Sequence, residues 1–187
     1  MHDYHQYFCT DDSLGLPDNQ ITHLLRDSKN RFWVGTVNGV CLYTDKDNFR
    51  IIPIEADNKN VRQILEDRNG RIFLNTGFQL YAYHPREEKI TCVLPEISPG
   101  NAFYAQCHIA PDNNLWVMTS TGLRCYDPST LQLKESVALS GYPYYSYLHN
   151  NELWITGNHT LSIFDTRTRS FKPLPQPCLL YTSPSPR

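Results

Sequence analysis

The chain has 187 residues, of which 40% are hydrophobic and 12% aromatic, and its formal net charge is -2. A chain of this length and apolar content can bury a sizeable core. Its 17 basic residues are scattered among 19 acidic ones without a basic stripe, so we expect no nucleic-acid partner for this region. No apolar run is long enough to cross a bilayer as a helix, and the first residues lack the pattern of a secretory signal.

Four short strands are predicted in chain order over residues 20–54. The strands span residues 20–26, 31–36, 40–43 and 49–54, because β-branched and aromatic runs are separated there by clusters of Asp, Asn and Gly. Asn and Gly adopt the backbone conformations that tight hairpins need. The sequence therefore predicts a meander in which each strand pairs with the next.

The same pattern recurs three more times along the chain. An aromatic residue of the second strand repeats at intervals of 40, 43 and 38 residues, at Trp33, Phe73, Trp116 and Trp154. A second ring follows ten residues later, at Tyr43, Tyr83, Tyr126 and Phe164. The chain is therefore predicted to consist of four related units.

The first hairpin is expected to differ between the units. Asp27 and Asp67 precede their aromatic residue by six positions, whereas Asp112 precedes Trp116 by only four. We therefore expect a shorter first hairpin in the third unit. In the fourth unit the first strand is predicted over residues 144–148, with its turn at residues 149–151.

Several predicted strands, such as residues 32–34 and 115–118, are apolar on both faces. Burial from both sides is the pattern of blades packed face to face around an axis, whereas a two-sheet sandwich would show alternation with polar residues. The predicted fold is all-β, a partial β-propeller of about four four-stranded antiparallel blades. An open stack of four blades leaves two blade faces unpaired, and we expect both to expose apolar rings and strand edges.

The repeat also sets the predicted boundaries. The four blades are assigned to residues 15–56, 57–100, 101–141 and 142–177. Residues 1–14 are interpreted as a remnant of a preceding blade. Residues 178–187 leave the repeat and resemble a translated sequencing adapter, so we expect a non-native tail there, with a natural Pro- and Ser-rich tail as the alternative.

The first unit resembles the two-component regulator propeller repeat. Residues 15–21, 27–36 and 38–40 read GLPDNQI, DSKNRFWVGT and NGV, which match most of that family's pattern. The later units match progressively less well, and the second has Phe73 and Asn75 where the family has Trp and Gly. The resemblance covers roughly residues 14–176.

This resemblance implies a ligand-sensing fragment of the periplasmic region of a hybrid two-component receptor, of the kind that recognises glycan fragments in Bacteroidetes. It implies an oligosaccharide ligand and a homodimeric parent protein, with a membrane span and a histidine kinase outside this chain. The chain itself is not expected to be an enzyme. The alternative is a fragment of a propeller enzyme, such as a polysaccharide lyase or hydrolase.

The candidate ligand-binding residues lie in a tyrosine-rich first strand of the fourth unit. Tyr144, Tyr145 and Tyr147 offer ring faces for sugar C–H surfaces and hydroxyls for sugar hydroxyls, although such rings can also fill the space between blades. Four polar residues occupy related first strands and are candidates for a central channel: His23, Arg62, Gln63 and Gln106.

Catalytic and metal-binding patterns are absent from the sequence. The seven His residues show no metal-ligand spacing, and the six Cys residues form no CxxC pair. The sequence also contains no nucleophile elbow and no phosphate-binding glycine loop. We therefore expect no catalytic residue, no metal and no cofactor in this chain.

Overall fold

The computed structural model describes residues 15–44, 48–97, 105–158 and 160–174. These residues form sixteen strands and no helix, so the described part of the chain contains no helical membrane span. The predicted all-β fold is confirmed. The predicted blade remnant at residues 1–14 and the predicted tail at residues 178–187 lie outside the described residues.

The strands form four sheets, one for each repeat unit. Blade 1 contains β1 (Ile21–Arg26), β2 (Phe32–Thr36), β3 (Gly39–Tyr43) and β4 (Phe49–Ile52). Blade 2 contains β5 (Gln63–Glu66), β6 (Ile72–Asn75), β7 (Leu80–His84) and β8 (Lys89–Leu94). Blade 3 contains β9 (Gln106–Ile109), β10 (Leu115–Thr119), β11 (Gly122–Tyr126) and β12 (Leu133–Ala138). Blade 4 contains β13 (Pro143–His149), β14 (Glu152–Gly157), β15 (Thr160–Asp165) and β16 (Ser170–Lys172).

Each sheet is an antiparallel meander in which every strand pairs with its sequence neighbour, as predicted. The last strand of blade 1 is shorter than predicted, because it ends at Ile52 rather than at Ile54. Pro53 follows directly, and proline has no N–H to donate to the ladder. The chain beyond it instead bridges to the next blade, where Ile54 pairs with Ile90.

The repeated aromatic residues pack between neighbouring blades. Trp33 of blade 1 meets Tyr83 of blade 2 edge to face, with ring centroids 4.9 Å apart. Trp116 of blade 3 meets Phe164 of blade 4 in the same way at 5.1 Å. The first repeated ring of one blade therefore packs on the second repeated ring of the next, which explains why both recur at a fixed separation.

The buried core is divided among the blade interfaces. Three apolar clusters join blade 1 to blade 2, blade 2 to blade 3, and blade 3 to blade 4. A fourth, smaller cluster lies on the outer side of blade 1, where Leu16 covers Val34 and Cys41. Within the described ranges, no apolar cluster contains residues of both blade 1 and blade 4, so the four blades form an open arc.

The prediction that the first hairpin shortens in the third unit is wrong. Ala110 lies six residues before Trp116 and makes the same backbone hydrogen bonds with Asn113 and Asn114 that Asp27 makes with its own turn. Asp112 is a further residue within a turn of unchanged length. The shorter first hairpin is in blade 4, where strand pairing continues up to His149 opposite Glu152. The first strand of blade 4 therefore lies one residue closer in sequence to the repeated aromatic than the first strands of the other blades do.

The indole N–H groups of the repeated tryptophans differ in their hydrogen-bond acceptors. Trp33 Nε1 donates to the buried carboxylate of Asp27 at 2.8 Å, and Arg31 Nε donates to the same oxygen at 2.6 Å. In blade 3 the residue equivalent to Asp27 is Ala110, and the buried Trp116 Nε1 has no hydrogen-bond partner among the described residues. The polar contact inside the repeat is therefore present in blade 1 and lost in blade 3.

Candidate ligand-binding cleft

The first strands of the four blades lie side by side, with β1 in contact with β5, β5 with β9, and β9 with β13. They enclose a cleft of about 360 Å³ on the axis of the arc. Ten residues that lie in these strands or directly before them line the cleft: His23, Arg62, Gln63, Ala105, Gln106, His108, Tyr144, Tyr145, Ser146 and Tyr147.

The structure brings the candidate residues of the sequence together in this cleft. Tyr144, Tyr145 and Tyr147 all line it, as do the four polar residues predicted for a central channel. The three tyrosine side chains are exposed rather than buried between blades 3 and 4. The three tyrosines line the cleft, and whether they bind a ligand stays a prediction.

An irregularity in β13 explains why two consecutive tyrosines are exposed. The register with β14 shifts between Pro143 and Tyr145, which is the pattern of a β-bulge, and Tyr144 lies at the shift. Beyond it the strand alternates normally, so Tyr145 and Tyr147 share one face while Ser146 is buried against blade 3. The bulge thus allows Tyr144 to line the cleft together with its neighbour.

A buried hydrogen-bond network joins blade 2 to blade 3 behind the cleft. Gln63 Oε1 accepts from the backbone N–H of Cys107 at 2.9 Å and from Asn75 Nδ2 at 2.7 Å. Asn75 Nδ2 also donates to the Ala105 carbonyl at 2.7 Å. The residue of blade 1 that is equivalent to Asn75 is Gly35. A Cβ atom at Gly35 would lie 3.0 Å from Val61 and would crowd the next blade. Asn75, which stands where the family pattern has Gly, thus provides a polar contact between blades 2 and 3.

A related network joins blade 3 to blade 4. Gln106 Oε1 accepts from the Ser146 backbone N–H at 2.6 Å and from the Ser146 hydroxyl at 2.9 Å. His108 Nε2 lies 2.8 Å from the same hydroxyl. Because the Ser146 proton is donated to Gln106, His108 must donate through Nε2, which fixes its tautomer. Burial lowers the pKa of His108 to about 4, so the ring is neutral at neutral pH.

The contact between blades 1 and 2 has a similar arrangement, in which the polar side chain is His23. Burial lowers the pKa of His23, and a hydrogen bond to the Ile64 backbone acts in the opposite direction. The polar residue ten positions before the aromatic therefore contacts the next blade in each of the first three units, at His23, Gln63 and Gln106. Tyr145 holds the corresponding place in blade 4, nine positions before Trp154 because that hairpin is shorter.

These polar residues line the cleft as expected and also contact the following blade, a role that the sequence alone did not indicate. The available indication was the constant separation of ten residues from the aromatic. The partners could not be identified from it, because they are backbone groups of the following blade.

The cleft is polar and aromatic, with little charge. Among the described residues that line it, Arg62 carries the single formal positive charge at neutral pH and none is acidic. The exposed tyrosine rings provide apolar surface, and their hydroxyls can both donate and accept hydrogen bonds. The arrangement suits a neutral or acidic ligand that presents both hydroxyl groups and C–H surfaces.

The three buried thiols of the described ranges are poor nucleophiles, and those ranges contain no group of metal ligands. Burial raises the pKa of Cys41 and of Cys107 to about 12, and burial is also the main cause that raises the pKa of Cys125 to about 11. These thiols are therefore protonated and unreactive at neutral pH. Within the described ranges, no three His, Cys, Asp or Glu residues are grouped as metal ligands.

Four antiparallel meanders stacked face to face around an axis define a β-propeller arc. The family model described as the two component regulator propeller matches residues 15–38, in the unit where the sequence resemblance is strongest. A search of the curated proteins gave no match.

Three solved structures illustrate the fold similarity. The extracellular domain of the hybrid two component system BT3049 from B. thetaiotaomicron matches 89% of this chain at 19% identity, with a TM-score of 0.67. Virginiamycin B lyase from Staphylococcus aureus matches 84% at 17% identity, with a TM-score of 0.66. An auxiliary nutrient binding protein from Bacteroides ovatus matches 86% at 14% identity, with a TM-score of 0.60.

The chain corresponds to only part of each of these proteins. It spans 23% of the BT3049 domain, 56% of the lyase and 44% of the nutrient binding protein. At these identities the similarity shows the propeller fold, and one fold can carry different functions.

Proposed function

We propose that this chain is part of the ligand-sensing propeller region of a hybrid two-component signalling receptor. The match of residues 15–38 to the two component regulator propeller supports this role, and so does the fold shared with the extracellular domain of BT3049. In this proposal the parent protein is an extracytoplasmic, homodimeric sensor located in the periplasm. The contribution of this chain is a binding surface, and signalling belongs to other parts of the parent.

The proposed ligand is an oligosaccharide that binds in the axial cleft. The observation that carries this proposal is the convergence of three exposed tyrosines with polar side chains from the other first strands. Tyr145 and Tyr147 lie on one face of β13, so both rings can contact the apolar side of a sugar. Arg62 and the tyrosine hydroxyls supply hydrogen bonds to its hydroxyl or carboxylate groups.

A pair of tyrosine substitutions tests the assignment of the cleft. Binding of a panel of neutral and acidic oligosaccharides is measured by calorimetry for the unmodified chain, for Tyr145→Ala and for Tyr142→Ala. Tyr142 is the matched control, because it is similarly exposed but does not line the cleft. Loss of one stacking ring is expected to weaken binding about 10-fold in Tyr145→Ala alone. Equal affinities of the two variants for every bound sugar would show that the cleft is not the binding site.

The enzyme alternative receives less support. The lyase similarity, at 17% identity, concerns the fold. His108 contacts the Ser146 hydroxyl, but that hydroxyl is buried and donates its proton to Gln106, so it is not placed for attack on a bound substrate. His23 is engaged with the Ile64 backbone. Incubation with acidic polysaccharides should therefore yield no unsaturated uronic acid product. Formation of that product, and its loss in His108→Ala, would favour the enzyme.

A further inference from the structure

Arg62 lines the cleft from the interior of the arc. It lies directly before β5 of blade 2, and the first strands of blades 1 and 3 contact β5 on either side. The Val61 N–H donates to the Thr36 carbonyl of blade 1 at 3.0 Å, and the Arg62 N–H donates to the Asn75 carbonyl at 2.8 Å. The backbone is therefore held at both positions, and the guanidinium extends from a fixed point of the cleft wall.

The charge of the cleft is concentrated at this one side chain. Among the described residues that line the cleft, none is acidic. The two imidazoles are neutral at neutral pH, because burial lowers the pKa of His108 to about 4 and also lowers the pKa of His23. Arg62 is half-buried, where charges interact more strongly than in bulk water. The chain as a whole has a net charge of -2, so this positive site is not part of a general basic surface.

Gln106 adds a second hydrogen-bond donor from blade 3. Its Oε1 accepts from the Ser146 backbone N–H, and since a backbone N–H can only donate, this contact fixes which end of the amide is the oxygen. The Ser146 hydroxyl donates to the same oxygen. Among the described residues, Gln106 Nε2 has no hydrogen-bond partner, and the atom is accessible. The amide N–H groups of Gln106 can therefore donate to a molecule in the cleft.

The two donors lie at the same junction of blades. Arg62 directly precedes Gln63 and Gln106 directly precedes Cys107, and Gln63 Oε1 accepts from the Cys107 N–H at 2.9 Å. Both donors thus flank the contact that joins β5 to β9. A guanidinium has five N–H donors, so Arg62 can keep contacts within the protein and still bind a further acceptor. The junction is complementary to a group that is negatively charged and only accepts hydrogen bonds.

We propose that the cleft selects acidic oligosaccharides, with the carboxylate or sulfate group of one sugar bound by Arg62 and by the amide of Gln106. The oxygens of both groups only accept hydrogen bonds, and a guanidinium can bind two of them at once. The inference rests on the proposed function and adds the class of sugar. Arg62 becomes the residue that determines specificity, whereas the tyrosine rings contact any sugar, neutral or acidic.

Pairs of sugars that differ in the acidic group alone test the proposal on the full chain. Calorimetry compares trigalacturonic acid and a hyaluronan tetrasaccharide with their carboxyl-reduced forms, and a κ-carrageenan tetrasaccharide with its desulfated form. In at least one pair the acidic member is expected to bind at least about 10-fold more tightly than the neutral member. The pair that shows this preference distinguishes a carboxylate from a sulfate.

Substitutions at the two donors assign the preference to the junction. Arg62→Gln is expected to weaken binding of the acidic sugar about 10- to 100-fold, and Arg62→Lys, which keeps the charge without the planar fork, about 3- to 10-fold. Gln106→Glu keeps an oxygen for Ser146 but replaces the donor with a negative charge, and should weaken binding at least about 10-fold. Affinity for the neutral member and the circular dichroism spectrum should be unchanged in all three variants.

Arg124→Gln is the matched control for the loss of a charge. Arg124 is also half-buried, but it does not line the cleft, so its substitution should leave both affinities unchanged. Two results would overturn the inference and leave the oligosaccharide cleft in place. One is equal affinity for the acidic and neutral members of every pair, and the other is an equal loss of acidic-sugar binding in Arg62→Gln and Arg124→Gln. Binding of no sugar in the panel would overturn the proposed function and this inference together.

Discussion

Replacing Asp27 with Ala should destabilise the chain by removing the acceptor at the centre of the first hairpin. The Asp27 carboxylate is fully buried and accepts hydrogen bonds from the Trp33 indole, the Arg31 guanidinium and the backbone N–H groups of Lys29 and Arg31. Leaving the buried Trp33 N–H without an acceptor costs about 1 to 3 kcal/mol. With the loss of the Arg31 contact and the turn contacts, the expected total is about 2 to 4 kcal/mol.

Asp67→Ala provides an internal comparison for this prediction. Asp67 makes the same turn and arginine contacts in blade 2, but the neighbouring aromatic is Phe73, which has no N–H to satisfy. We therefore expect Asp67→Ala to cost about 1 to 2 kcal/mol less than Asp27→Ala. Unfolding in urea is followed by circular dichroism and by tryptophan fluorescence. Equal losses in the two variants would refute the assignment of the difference to the indole hydrogen bond.

Low pH should abolish the stabilisation that the Asp27 carboxylate provides. Burial favours a raised pKa for Asp27, but the hydrogen bonds from Trp33 and Arg31 outweigh it, so the pKa lies below its usual value. A lowered pKa in the folded state means that the stabilisation is present above the usual value near 4 and is lost as the pH falls through the lowered pKa. The difference in unfolding free energy between the unmodified chain and Asp27→Ala should therefore shrink below about pH 4. A difference that stays constant down to pH 2 would contradict this account.

Two further predictions concern blade 3. Because the folded pKa of His108 is about 4 and its usual value is 6.5, stability should fall by up to about 3 kcal/mol between pH 6.5 and pH 4. His108→Gln should flatten this loss and His149→Gln should not, in urea unfolding at each pH. Ala110→Asp/Asn114→Arg supplies Trp116 with the acceptor it lacks and should raise the unfolding free energy by about 1 kcal/mol. The same pair of substitutions combined with Trp116→Phe should show no gain, and an equal gain there would show that the indole N–H is not its source.

The fold could be predicted from the sequence because local and long-range patterns agree. The aromatic spacing sets the length of a blade, and the turn residues separate its strands. The aromatic residues recur because they pack on rings of the following blade, as Trp33 does on Tyr83 and Trp116 on Phe164. The candidate tyrosines lie in the first strand of blade 4 and line the cleft, and their role in ligand binding stays a prediction.

The details that were not predicted depend on contacts between blades. Asp112 suggested a shortened hairpin, but hairpin length is set by backbone hydrogen bonds, and Ala110 makes them as well as an acidic residue does. Asn75 looked like a loss of the family pattern, yet its amide bonds Gln63 and Ala105. Ala110 acts through the backbone of its turn, and Asn75 acts through a contact with the next blade. Neither role could be recognised from the identity of the residue within its own unit.

The most direct test of the proposed cleft is to map the binding site of an oligosaccharide by nuclear magnetic resonance on the isotopically labelled chain. If the axial cleft is the site, shift changes on titration should concentrate at the backbone amides of Gln63, Gln106, Tyr145 and Ser146. The outermost strands β4, β8, β12 and β16 should be unaffected. A bound sugar whose shift changes fall on those outer strands, with the cleft amides unchanged, would contradict the account.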